Sequence, residues 1–238
     1  MALTFAREGA AVTVDYVGKP GSADDTIHQM EKIKDWGGKA LAVNADISNP
    51  DQVADLVKQT VDKFGRLDIF VNNAGIETKH PIQDFPFNEW QKIIAVNLTG
   101  PFLCIQAAAK QMIAQGDGGR IVNISSIHED LPMPTNAPYC ATKGGLRMLM
   151  RTVAVELAPH QILVNNIGPG AVYTPIDADI QAKPEIEKAL MAEIPLGRWG
   201  KPEEIAEMAV FLASDSGSYC TGSTFFVDGG MLRMAGSL

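Results

Sequence analysis

The residues best suited to chemistry are Tyr139 and Lys143, with Ser125 and Ser126 before them and Asn97 further upstream in Val96-Asn97-Leu98-Thr99-Gly100. Tyr139 and Lys143 are four apart, a spacing that shares one helix face and sets an ammonium beside a phenol. A phenol with a pKa of ~10 is a poor base at neutral pH, and a neighbouring cation favours its ionised form. A tyrosine so placed can take or return an alcohol proton. Ser126 closes an apolar run, where its hydroxyl can hold a substrate oxygen whose charge changes. Singly these residues are ordinary, since serine after a strand forms turns and asparagine caps helices. Joined by Asn72-Asn73-Ala74-Gly75 and Pro169-Gly170 at the ends of other strand-like runs, they outline the carboxyl edge of a parallel sheet, where ligands bind in such folds.

The elements that must position them are legible as an alternation of β-branched runs and amphipathic stretches, the pattern of βαβ units with right-handed crossovers. Strands are expected at 11–15, 40–44, 67–72, 120–125, 163–167 and 224–227, mostly too continuously apolar for a sheet with one wet face. Helices are expected at 89–95, 100–115, 138–158, 185–193 and 203–213. A further helix opens at Pro50, carries the stripe Val53, Leu56, Val57, Val61 and Phe64, and closes at Gly65. The fold class is therefore α/β, a doubly wound, Rossmann-like and mainly parallel sheet, with residues 1–238 forming one domain.

Composition narrows the function. Of 238 residues 46% are hydrophobic and 20% charged, enough for one full core. Lys+Arg 20 against Asp+Glu 28 gives a formal charge of -8, which repels nucleic acid and anionic membrane surfaces. Cys104, Cys140 and Cys220 are far apart and form no C-x-x-C, so they read as core thiols in a reducing, cytoplasmic setting, with no metal site. No run approaches the ~18 consecutive apolar residues of a membrane span, and Met1 begins no secretory signal.

The beginning of the chain does not fit this layout. Residues 1–7 read as the last turns of a helix stopping at Gly9, yet no strand and no glycine-rich phosphate-binding turn precede them, and no G-x-G-x-x-G occurs elsewhere. The expectation is an N-terminally truncated domain in which Met1 is an internal methionine or a mis-set start.

Asp46-Ile47, Asn73-Ala74-Gly75, Asn97, Ser126, Tyr139 with Lys143, and Pro169-Gly170 with Thr174 together resemble the motifs of the short-chain dehydrogenase/reductase family, over essentially the whole chain. The resemblance implies an NAD(P)-dependent oxidoreductase. In it Tyr139 is the proton donor and acceptor, Lys143 lowers its pKa and bonds the nicotinamide ribose, Ser126 polarises the substrate oxygen, and Asn97 holds a water for proton relay. Asp46 would bond the adenine, Asn73 to Gly75 would line the adenosine side, and Val172 and Thr174 would hold the carboxamide and phosphate region. The implied strand order puts a further, absent strand between the runs at 11–15 and 67–72, and relatives imply a homotetramer.

Asn73-Ala-Gly-Ile-Glu77, Ser125-Ser-Ile-His128-Glu129, Thr174-Pro-Ile176 and Asp228-Gly-Gly-Met231 are similar to bacterial glucose 1-dehydrogenases, which implies hydride transfer from C1 of an aldose such as glucose. Glu77, His128 and Glu129 lie beside the catalytic positions and are candidate contacts to sugar hydroxyls, or else loop or interface residues. Val17 lacks the charge that marks ribose or 2′-phosphate recognition, and Lys19 is the nearby basic residue, so the cofactor reading leans to NAD over NADP. Two alternatives stand beside it: a 3-oxoacyl or ketone reductase of the same family, and a non-catalytic truncated homologue that binds no dinucleotide.

Overall fold

Several helices are set by signals within a few residues of their own ends. Asn49 accepts from the amides of Asp51 and Gln52, Pro50 fills the first turn, and Gly65 at φ 87° stops the helix in the left-handed conformation that an L side chain resists. The computed structural model describes residues 1–18, 24–35, 38–174 and 178–234. In chain order it contains α1 (Ala2–Arg7), β1 (Val12–Tyr16), α2 (Asp24–Asp35), β2 (Ala40–Asn44), α3 (Pro50–Phe64), β3 (Ile69–Asn72), α4 (Phe87–Ile94), α5 (Gly100–Gln115) and β4 (Gly119–Ile124). There follow α6 (Ala137–Leu157), β5 (Ile162–Pro169), α7 (Ala178–Gln181), α8 (Pro184–Ala192), α9 (Pro202–Ala213) and β6 (Thr224–Val227). Lys19, Pro175 and Ile176, named above, lie outside the described residues.

Every strand pairing is parallel. β3, β4, β5 and β6 form one sheet in that order, and β1 pairs with β2 in register Val12↔Ala40 to Tyr16↔Asn44. Among the described residues no backbone pairing joins β1 to β3, the place where a further strand was expected. Side chains bridge the two sheets instead. On one face Phe70 packs with Leu41, Val43 and Leu56; on the other, Val12, Ile69 and Val71 share a cluster with Phe5. Successive strand residues point to opposite faces, so β3 serves both.

The same alternation makes two cores. Ile121, Ile162 and Val164 pack under Ile105, Ala108 and Met112 of α5 and Met150 and Ala154 of α6, while Val122 and Ile167 pack against Phe5 of α1 and Ile205, Ala209 and Leu212 of α9. Helices thus cover both faces, as expected for a doubly wound sheet.

Some boundaries differ from the sequence reading for identifiable reasons. β3 starts at Ile69 and not at residue 67, because the Gln115 side chain bonds both main-chain groups of Leu67, at 2.8 Å to its N–H and 2.9 Å to its carbonyl. β1 includes Tyr16, and β5 runs on to Pro169 because β6 pairs with it there. The helices expected at 89–95 and 100–115 are one continuous run, Phe87–Gln115, joined by a widened π turn at Ala95–Thr99. Pro101 has no N–H to return to the carbonyl of Asn97, so the regular helical bond is unavailable at that step. Though it has no continuous apolar run of spanning length, this 29-residue stretch is long and apolar enough by composition to cross a membrane. It is spent on packing instead, with Cys104, Ile105, Ala108 and Met112 buried.

Candidate active site

Tyr139 and Lys143 sit in the first turns of α6, where Pro138 is accommodated because its missing N–H would be unpaired there in any case. One turn apart, they face the end of β4: the Lys143 Nζ donates to the carbonyl of Ile124 at 2.9 Å and lies 5.3 Å from the centre of the Tyr139 ring. Lys143 is 4% exposed. Burial lowers its pKa to about 8, against an upward pull from the charge of Glu129.

Ser126 follows β4 directly, extended at φ -170°, and is buried. Its hydroxyl oxygen accepts from the His128 amide at 3.2 Å, which leaves the hydroxyl proton to donate. His128 stands edge-on to Tyr139 with ring centres 6.3 Å apart, and its Nδ1 is 3.2 Å from the carbonyl of Leu131, so that nitrogen carries the proton. Burial pushes the His128 pKa down, partly offset by the Leu131 carbonyl and Glu77, which favours the neutral ring. Glu77 pairs with Lys79 at 3.4 Å.

Asn97 lies in the π turn and is 1% exposed. Its carboxamide accepts from the N–H of Ile76, in the loop after β3, at 2.9 Å, and donates to the Ile76 carbonyl at 2.8 Å and to the Thr142 hydroxyl of α6 at 3.5 Å. The side chain therefore pins that loop.

Of the residues expected along the cofactor edge, Asn73, Ala74 and Gly75 are exposed at the end of β3. The Asp46 carboxylate accepts from the hydroxyl of Ser48 at 2.7 Å and its amide at 2.9 Å, which holds its pKa below the usual range. Ile47 is buried against Gly100. Pro169 ends β5, and at Gly170 a Cβ would stand 2.8 Å from the Cα of Asp228, so only glycine permits that approach. Val172 bridges to Gly200, and the carbonyl of Thr174 accepts from Gln181. Glu129, proposed from sequence as a sugar contact, instead turns into the sheet: it is 8% exposed and takes a bond from Asn166.

Comparison with known proteins shows the family. The sequence profile described as Enoyl-(Acyl carrier protein) reductase matches residues 1–232. 3beta-hydroxysteroid dehydrogenase 1 of Eggerthella lenta is 43% identical over 236 residues, 99% of this chain and 89% of that protein. Glucose 1-dehydrogenase 2 of Bacillus subtilis is 40% identical over 228 residues, 95% of this chain and 87% of that one. The chain is a short-chain dehydrogenase/reductase. Among solved structures of such enzymes, the gluconate 5-dehydrogenase of Burkholderia cenocepacia in complex with NADP and tartrate superposes with a TM-score of 0.91 at 34% identity, covering 98% of this chain and 90% of that one. This short-chain dehydrogenase/reductase is accordingly an NAD(P)-dependent oxidoreductase of single-domain Rossmann-like fold.

The residues present fit the nicotinamide-ribose end of such a dinucleotide. Gly75 keeps open the space between the loop and α6, where a Cβ would stand 3.7 Å from the Asn97 Oδ1 and 3.8 Å from the Lys143 Nζ. Asn72, named from sequence only as the start of the run Asn72–Gly75, lies side by side with Asn123 and Asn166, which were not singled out, on three strands beneath the site. The signal was present: asparagine is depleted in strands, yet one closes or nearly closes each of these apolar runs.

Proposed function

We propose that the protein oxidises an alcohol carbon of a small polyhydroxylated substrate, with C1 of an aldose such as glucose as the preferred carbon and NAD as the preferred dinucleotide. The observation that carries the chemistry is the Lys143 ammonium 5.3 Å from the Tyr139 ring, with the hydroxyl proton of Ser126 free to donate. Tyr139 removes the hydroxyl proton, and Lys143 favours the phenolate that accepts it. Ser126 holds the substrate oxygen as its charge changes. Bound nicotinamide supplies the hydride acceptor.

For the substrate class, the support is Glu77 and His128. His128 sets a neutral imidazole edge-on to Tyr139, the Glu77 charge acts on that imidazole, and both side chains can hydrogen-bond hydroxyls. For NAD, the support is Val17, which is 63% exposed and uncharged just after β1, where a 2′-phosphate would call for a cation. Because the gluconate 5-dehydrogenase neighbour holds NADP, both dinucleotides belong in the test. The protein is assayed by nicotinamide absorbance against aldoses, acetoin, a 3β-hydroxysteroid and, in reverse, a 3-oxoacyl ester. The expected result is the highest kcat/KM with an aldose and NAD; turnover of the steroid or acetoin with none of any sugar refutes the substrate class.

A further inference from the structure

Asn72, Asn123 and Asn166 are register partners on β3, β4 and β5, and are 6%, 0% and 0% exposed. The Asn72 amide donates to Asn123 at 2.8 Å, Asn123 donates to Asn166 at 2.9 Å, and Asn166 donates to the Glu129 Oε2 at 3.4 Å. Asn72 donates, and Asn123 and Asn166 each accept from one side and donate to the other, so the chain has a direction, and it ends on a carboxyl oxygen that accepts. The other Glu129 oxygen, Oε1, is buried without a hydrogen-bond partner. A buried carboxylate with a spare oxygen is costly unless a cation stands near it.

Lys143 is the cation on which the charge of Glu129 acts. Its Nζ bonds the carbonyl of Ile124, the residue after Asn123 in β4, so the ammonium and the asparagine chain share one strand end. α6 packs closely on the turn that carries Glu129: a Cβ on Gly144 would stand 3.8 Å from the Glu129 carbonyl. Burial draws the Lys143 pKa down to about 8, and the charge of Glu129 acts in the opposite direction. The neighbouring charges are engaged elsewhere. On the same turn Asp130 pairs with Arg147 of α6, Glu77 pairs with Lys79 and acts on His128, and Tyr139 shares the helix of Lys143. β4 and β5 present Asn123, Asn165 and Asn166, which are neutral.

We propose that Glu129 is a positioning residue for the acid–base pair: its carboxylate, fixed by the Asn72–Asn123–Asn166 chain, keeps the buried Lys143 ammonium protonated and so sets the alkaline limit of activity. This rests on reading Tyr139 and Lys143 as that pair. The test uses the full chain labelled with carbon-13 lysine, following the Lys143 side-chain resonance against pH, with Lys143→Arg to assign it. Glu129→Gln keeps an acceptor for Asn166 and removes the charge. It is expected to lower the Lys143 midpoint by about one pH unit and to move the alkaline limb of kcat/KM down by the same amount. Glu129→Asp keeps the charge and is expected to return both toward the parent values. A purely structural role would reduce kcat/KM evenly across pH and leave both midpoints in place; an unchanged Lys143 midpoint in folded Glu129→Gln overturns the proposal. If the midpoint falls but the parent protein oxidises no alcohol, the coupling stands and the acid–base reading is what fails.

Discussion

Asn97→Ala separates two roles for one residue, a support for the cofactor loop and a water carrier. The carboxamide makes two bonds to Ile76, at 2.9 and 2.8 Å, from a position that is 1% exposed. Truncation removes both and leaves the Ile76 N–H and carbonyl to find other partners. At about 1 kcal/mol per lost bond, with part of the loop reachable by water, the expected loss is about 2 kcal/mol. A domain of this size shifts by about 2–4 °C per kcal/mol, so the melting temperature should fall by about 4–8 °C. Differential scanning calorimetry of the parent and variant reads this directly, and amide exchange at Ile76 should accelerate. A midpoint within about 1 °C of the parent together with a large loss of turnover would refute the reasoning, because the side chain would then act on bound groups and not on the loop.

Other consequences follow from the same geometry. Tyr139→Phe keeps the ring beside His128 and Lys143 but removes the proton carrier, so kcat should fall by roughly 10²–10⁴-fold with an unchanged melting curve; near-parent turnover would remove Tyr139 from its role. Gly170→Ala drives a methyl to 2.8 Å from the Asp228 Cα, and overpacking of this kind costs about 1–3 kcal/mol, visible as a lower melting temperature. Asp15 is half-buried, with Oδ1 unpartnered, and desolvation pushes its pKa up to about 7, offset in part by the amides of Ala45 and Tyr16. A carboxyl whose folded pKa lies above its unfolded value binds its proton more tightly in the native state, so stability falls as pH rises from about 4 to about 7. Asp15→Asn should remove that slope and melt higher than the parent at alkaline pH; an unaltered profile would contradict the assignment.

What the sequence determined alone are features whose partners lie within a few residues. Tyr139 and Lys143 meet because a helix turn returns after four residues, and α3 is bounded by Asn49, Pro50 and Gly65 through its own backbone. The parallel α/β class was equally legible, since strands covered on both faces leave continuous apolar runs such as 69–71. Tertiary structure decided what depends on register between distant strands. Asn72 meets Asn123 across 51 residues and Asn123 meets Asn166 across 43, and no local pattern specifies that alignment. It also decided the direction of Glu129, which beside His128 looks like a groove residue but is drawn inward by Asn166. The π turn at Asn97 joins two elements that read as separate helices, because the missing N–H of Pro101 is offset by packing against β4 and α6. Spacing along one chain sets which side chains share a face; the free energy of packing chosen faces together sets which of them touch.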